Sequence, residues 1–163
     1  MRRRRKDGYF RQDGGPAPIV YAVTKTISFS DIDAMAIMWH GRYPKLFEMA
    51  AEALTKKIGM GYADYAKADL RAPIVQLHID YHQPLMLEET VTVEAKMVWD
   101  DAARMNTEFR IVKADGTLAS TGYIVQMFVS AAGMPFMIDP PLYAAVKERW
   151  KQGAFACLTA TSA

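Results

Sequence analysis

The chain has 163 residues, enough for one domain with a single core, and its 51% hydrophobic and 23% charged residues are those of an ordinary globular protein. No run approaches the ~18 uninterrupted apolar residues of a membrane span, and the basic start MRRRRKDGYF lacks the apolar stretch of a secretory signal. The net charge of +2 hides an asymmetry: residues 1–17 hold six basic against two acidic side chains, and the remainder holds 14 against 16.

Residues 1–17 therefore read as a flexible basic arm, since like-charge runs followed by DGGPAP rarely fold. The basicity belongs to that arm and not to the body; electrostatic contact of the arm with nucleic acid or an acidic surface is the other reading of it, and no nucleic-acid partner is the expectation. IVYAVTKTISFS (19–30) is rich in β-branched and aromatic residues and predicts a first strand. From Tyr43 to about Gly59, the apolar positions Leu46, Phe47, Ala50, Ala51, Leu54 and Ile58 recur at spacings of three and four, one face of a helix. GMGYADYAKADL is a glycine-rich exit followed by a short helical turn.

Four strands follow at short range. APIVQLHIDYHQPL is ended by Pro84, and ETVTVEAKMVWD (89–100) alternates strictly. RMNTEFRIVKADG (104–116) runs into Asp115-Gly116, a hairpin turn signal, and TLASTGYIVQMFVS (117–130) returns as its partner. PPLYAAVKERW (140–150) predicts a C-terminal helix with prolines at its start. A long apolar helix must bury its stripe, and an antiparallel sheet of about five strands is the available partner. The expectation is an α+β chain in which a curled sheet wraps one long central helix.

The segment between the first strand and the helix, FSDIDAMAIMWHGRYPKLFE, sets Asp31, Asp33 and His40 among apolar side chains. Buried acids are costly unless something pairs with them. A carboxylate beside a helix N-terminus is a workable hydrolytic arrangement. Free N–H groups and a partial positive charge stabilise a developing oxyanion, while the acid attacks a carbonyl or activates a water. Ile37, Met38 and Trp39 are the candidate dry wall.

These residues carry a resemblance. Phe29, Asp31-Ile32-Asp33, Trp39-His40-Gly41, Tyr43 and Phe47-Glu48 match the motif of the 4-hydroxybenzoyl-CoA thioesterase branch of the hotdog enzymes, and the strand order resembles theirs from about residue 19 to 130. The resemblance implies a hotdog fold in a single domain over 18–152, with a C-terminal tail at 153–163. It also implies hydrolysis of an acyl-CoA or acyl carrier protein thioester, without a cofactor, in a homodimer or homotetramer with the site between chains. It gives Asp33 the role of nucleophile or general base and places His40 beside the thioester. Gly41, Tyr43 and Glu48 fall on the substrate side, and Asp31 is the loop-organising acid. Arg104 lies near where relatives hold basic groups for the phosphates of coenzyme A. A hotdog lyase acting on a polyketide or fatty intermediate and a non-catalytic acyl-binding homologue are the other readings.

HIDYH raises a metal question, because His78, Asp80 and His82 share one strand face. At ~3.3 Å per residue the two histidines stand about 13 Å apart, too far for one ion with ligands at ~2 Å. A polar strand face is the expectation, with no metal. A single cysteine, Cys157, suits a reducing cytoplasm.

Overall fold

The computed structural model describes residues 8–12 and 14–160. Five strands form one antiparallel sheet in the order β1-β4-β5-β6-β3: β1 (Ile19–Thr26), β3 (Ile74–Tyr81), β4 (Thr90–Val98), β5 (Arg104–Lys113) and β6 (Leu118–Met127). Two-residue strands β2 (Leu70–Arg71) and β7 (Val129–Ser130) pair separately. The helices are α1 (Tyr43–Ile58), α2 (Tyr62–Lys67) and α3 (Pro141–Lys151). No helix among the described residues is long and apolar enough to cross a membrane.

Alternation puts every second residue of β4 and β5 on the face that receives α1. Val91, Val93, Ala95 and Met97, with Phe109 and Ile111, are each at most 1% exposed. The helix covers them with Tyr43, Leu46, Phe47, Ala50, Leu54 and Ile58, which is the predicted stripe with Tyr43 added and with Ala51 only half-buried at its margin. Phe47 stacks on Phe109 with ring centres 4.4 Å apart. Gly122, opposite Phe109 in the ladder, makes room for that stack: a Cβ there would collide with the His78 carbonyl oxygen and meet the Phe47 ring at 2.6 Å. Gly59 ends α1 in the left-handed region at φ +82. The arrangement is thus a sixteen-residue helix against one face of a five-stranded antiparallel sheet, a plainer picture than one long helix enclosed by a curled sheet.

Two expected boundaries shift for local reasons. The first strand stops at Thr26 because Asp31 draws Ser28 into a 3₁₀ turn, accepting its backbone N–H at 3.0 Å and its hydroxyl at 2.6 Å. The last large strand stops at Met127, since Phe128 turns into the core against Tyr143 and sends Val129–Ser130 to β2. The 113–117 hairpin forms as expected, with Gly116 at φ +85.

The described parts of the two expected tails are packed. Tyr9 and Phe10 both donate backbone N–H groups to the Glu108 carboxylate, which also binds Lys96 at 3.0 Å. The Tyr9 hydroxyl donates to Asp80 at 2.6 Å, and both arm rings lie against Tyr123. Trp150 donates its indole N–H to the Ala17 carbonyl at 2.8 Å, joining the arm to α3. The breaks expected at 17/18 and 152/153 are therefore not breaks in packing: Phe155 is 4% exposed, and Ala156–Ala160 forms a 3₁₀ turn against β1. Residues 1–7, Asp13 and 161–163 lie outside the described residues.

Two stability outcomes follow from this packing. Gly122→Ala overpacks the helix–sheet contact and should cost roughly 2–3 kcal/mol, seen as a melting temperature about 5–10 °C lower in circular dichroism. Deleting residues 1–12 takes two amide donors from Glu108, which is 6% exposed. The melting point should fall there too, by an amount equivalent to roughly 1–3 kcal/mol.

Candidate active site

The link from β1 to α1 is a short hairpin. Ile32 bridges Met38, the Asp33 N–H donates to the Ile37 carbonyl at 2.9 Å, and the Trp39 N–H donates to Asp31 at 2.8 Å. At its tip Ala36 sits at φ +62, a left-handed position that side chains other than glycine rarely take. The hairpin is pinned from below, because Met38 donates to the Leu85 carbonyl at 2.7 Å and Ile37 bridges Met86. Its second arm runs into a 3₁₀ turn, His40–Arg42, and then directly into α1.

The two acids have separate jobs. Asp31 is committed to Ser28. Burial works to raise its pKa, but the side-chain and backbone hydrogen bonds from Ser28 outweigh that and hold it below the ordinary carboxylate value. Asp33 sits half-buried at the hairpin tip, and one of its oxygens, Oδ1, accepts the Met35 N–H at 2.8 Å. It therefore organises the tip, in an Asx turn, while keeping partial access to solvent.

His40 and Gly41 open the helical run. Neither the 3₁₀ turn nor α1 has a side-chain cap at its start. The first bond inside the turn is from Arg42 to the Trp39 carbonyl, so the N–H groups of His40 and Gly41 precede the first intrahelical donor. Trp39 covers Gly41: a Cβ on Gly41 would lie 2.6 Å from the indole ring. The His40 ring lies 5.3 Å from that indole. His40 is exposed, about three residues along the hairpin arm from the level of Asp33, or roughly 10 Å.

Of the proposed dry wall, Met38 is buried and Ile37 half-buried, whereas Trp39 is 47% exposed; Met35 (72%) and Met86 (44%) are exposed as well. Tyr43 is buried beneath the turn and meets Tyr81 edge-on at 4.8 Å. Glu48 is exposed on the α2 side of the helix, close enough to Tyr62 that its charge, added to the effect of burial, helps to raise that phenol's pKa. Arg104 is not brought to this end of the chain. It pairs with Met127, seven residues along β6 from Ser120, which pairs with Tyr81, and its Nε binds Asp100 at 2.7 Å. Seven residues of strand span about 23 Å.

His78 and Asp80 occupy the sheet face away from α1, 3.1 Å apart, and His82 bonds to the Thr121 hydroxyl at 2.9 Å. Tyr81, between them in sequence, points the other way and donates its hydroxyl to the His40 carbonyl at 3.1 Å. Sequence reasoning attended to the polar side of HIDYH. The strand's period of two was the signal that Tyr81 faces α1.

Comparison with known proteins gives a consistent picture. The family model described as Thioesterase-like superfamily matches residues 27–146, from the end of β1 into α3. The Bacillus subtilis protein YneP, provisionally named an acyl-CoA thioesterase, is 33% identical over 67 residues, 41% of this chain and 49% of YneP. A Synechocystis protein provisionally named an esterase is 28% identical over 101 residues, 61% of each chain. The chain thus spans about half to three-fifths of the length of these curated relatives. Among solved structures, the DHNA-CoA thioesterase of Staphylococcus aureus superposes with a TM-score of 0.72 at 23% identity, over 83% of this chain and 95% of that one. A second Staphylococcus aureus protein, solved in complex with CoA, gives 0.72 at 18% identity over 87% and 89%. These likenesses establish a shared hotdog-type fold. With the family match covering the hairpin, the uncapped helix start and the sheet beneath them, the chain belongs to the thioesterase-like superfamily.

Proposed function

We propose that the protein hydrolyses an acyl thioester of coenzyme A, or of an acyl carrier protein, to a free acid and a thiol. One observation carries the reading: within the segment matched by the thioesterase family, Asp33 stands on a hairpin that leads straight into a helix start without a side-chain cap. The thioester carbonyl lies at the His40–Gly41 amides, which take the charge that grows on its oxygen. The Asp33 carboxylate either attacks the carbonyl carbon or removes a proton from a water that does so. The C–S bond then breaks, the thiolate collects a proton, and water supplies the hydroxyl of the acid. In the first route a mixed anhydride with Asp33 forms and is hydrolysed, restoring the carboxylate. The His40 ring flanks the thioester, Tyr43 and Glu48 lie on the acyl side, and the cytoplasm is the compartment that suits the lone exposed cysteine.

The active form is a homodimer, alone or paired into a homotetramer. β3 ends the sheet, and Ile74, Val75, Leu77 and Tyr81 on it are each about half exposed, from 48% to 53%. An apolar edge strand is a template for another strand. Antiparallel pairing of β3 with its copy covers Trp39 and Met86. It also carries the Arg104 end of one chain toward the His40 end of the other, where a guanidinium suits the phosphates of coenzyme A.

Two experiments test these readings. With a hydrolysed thioester as substrate, Asp33→Asn should lose ~10²–10⁴-fold in rate, while Asp31→Asn should lower the melting temperature more than the rate. His40→Ala should fall between them, since its backbone N–H survives. Near-parental turnover by Asp33→Asn would overturn the assignment, and no turnover by the parent on any thioester would overturn the hydrolase reading. Light scattering should give a multiple of 18.3 kDa, and a clean monomer at micromolar concentration contradicts edge pairing.

A further inference from the structure

Tyr81 reaches from the edge strand to the start of the helical run, its hydroxyl donating to the His40 carbonyl oxygen at 3.1 Å. That oxygen belongs to the peptide joining His40 to Gly41. A trans peptide is planar, with its C=O and N–H pointing in opposite directions, and no peptide among the described residues is cis. Holding the carbonyl oxygen therefore sets the direction of the Gly41 N–H, one of the two amides ahead of the first bond in the turn.

The hold is braced from several sides. The Tyr81 ring meets Tyr43, itself 3% exposed, edge-on at 83° and 4.8 Å, which limits the angle of the phenol. Behind it, Tyr81 pairs with Ser120 of β6, and the Ser120 hydroxyl donates to the Asp80 carbonyl at 2.9 Å. On the Gly41 side the Trp39 indole lies over the backbone, so close that a Cβ on Gly41 would fall 2.6 Å from the ring. Burial raises the Tyr81 pKa above the ordinary phenol value, so the hydroxyl keeps its proton, and its role as donor, across neutral and mildly alkaline pH.

We propose that Tyr81 is a positioning residue for thioester hydrolysis: it grips the His40 carbonyl and so aims the Gly41 amide at the oxygen that becomes negative in the transition state. The proposal rests on the reading of the His40–Gly41 amides as the oxyanion site. It adds a residue from the sheet edge, so that the strand proposed to pair between chains also sets the geometry of the site. A misaimed donor weakens transition-state binding more than ground-state binding, because the charge it serves appears only as the reaction proceeds.

The test compares Tyr81→Phe with the parent in steady-state thioester hydrolysis and thermal melting. This variant keeps the ring on Tyr43 and removes only the hydroxyl. The kcat should fall about tenfold, short of the ~10²–10³-fold cost of deleting an oxyanion donor outright. KM should change less than about twofold, with a melting temperature within about 3 °C of the parent. Tyr65→Phe is the control, since it removes a phenol hydroxyl that lies 3.8 Å from the Met105 sulfur away from the site; it should keep parental turnover. An active parent whose Tyr81→Phe variant retains its kcat, or changes only KM, overturns the proposal and leaves the hydrolase reading standing. An equal loss of kcat in Tyr65→Phe, or a melting point more than about 10 °C lower in Tyr81→Phe, makes the hydroxyl a support of the fold and also overturns it. A parent inactive on every thioester overturns both readings together.

Discussion

The stack of Phe47 on Phe109, seated over Gly122, is the contact on which the rest of the molecule depends. It places a sixteen-residue helix on the sheet and thereby fixes where the helix begins. Both rings are 1% exposed, and burying one phenylalanine contributes roughly 1.5–3 kcal/mol. A larger residue at position 122 cannot share that space with Phe47 or with the neighbouring strand. The location of the candidate site is thus a consequence of core packing several residues further down the helix.

From that anchor, the hairpin from Ile32 to Met38 does the finer placement. Its backbone bonds leave the chain little freedom between the end of β1 and the start of α1. Two acids two residues apart end in different states because their neighbours differ. Asp31 lies beside the Ser28 hydroxyl and amide and is used by them, whereas Asp33, at the tip, gives one oxygen to the turn. The helix start that follows has no side-chain cap, and an uncapped helix start carries partial positive charge.

The sheet treats its two faces and two edges differently. The face away from α1 is polar, and the arm lies on it because the buried Glu108 carboxylate accepts both the Tyr9 and Phe10 amides. A buried carboxylate without such donors would be costly. The turn at Ala156–Ala160 packs against β1, while the β3 edge presents Ile74, Val75, Leu77 and Tyr81. The apolar side chains near the candidate site, Trp39 and Met86 among them, are exposed as well. One chain therefore leaves both its apolar edge and its candidate site uncovered.

Local pattern was enough for the elements and for the motif. Strict alternation marked β4, spacings of three and four marked α1 from Tyr43, Asp115-Gly116 marked the hairpin, and the Asp31–Glu48 run carried the resemblance to the thioesterases. These features depend on residues a few positions apart, whose side chains share a face whatever the rest of the chain does. What the sequence left open depends on residues far apart. The packed arm needed Glu108, almost a hundred residues from Tyr9, and nothing in MRRRRKDGYF announces a distant carboxylate. Arg104 looked suited to phosphate, yet the ladder puts it at the far end of the sheet from His40. Tyr81 was hidden between two histidines and an aspartate until strand pairing turned it toward the helix start. Periodicity and local turn chemistry are written in neighbouring residues, but the partner of a given side chain is decided by strand order and register, which exist only once the whole sheet has closed around its core.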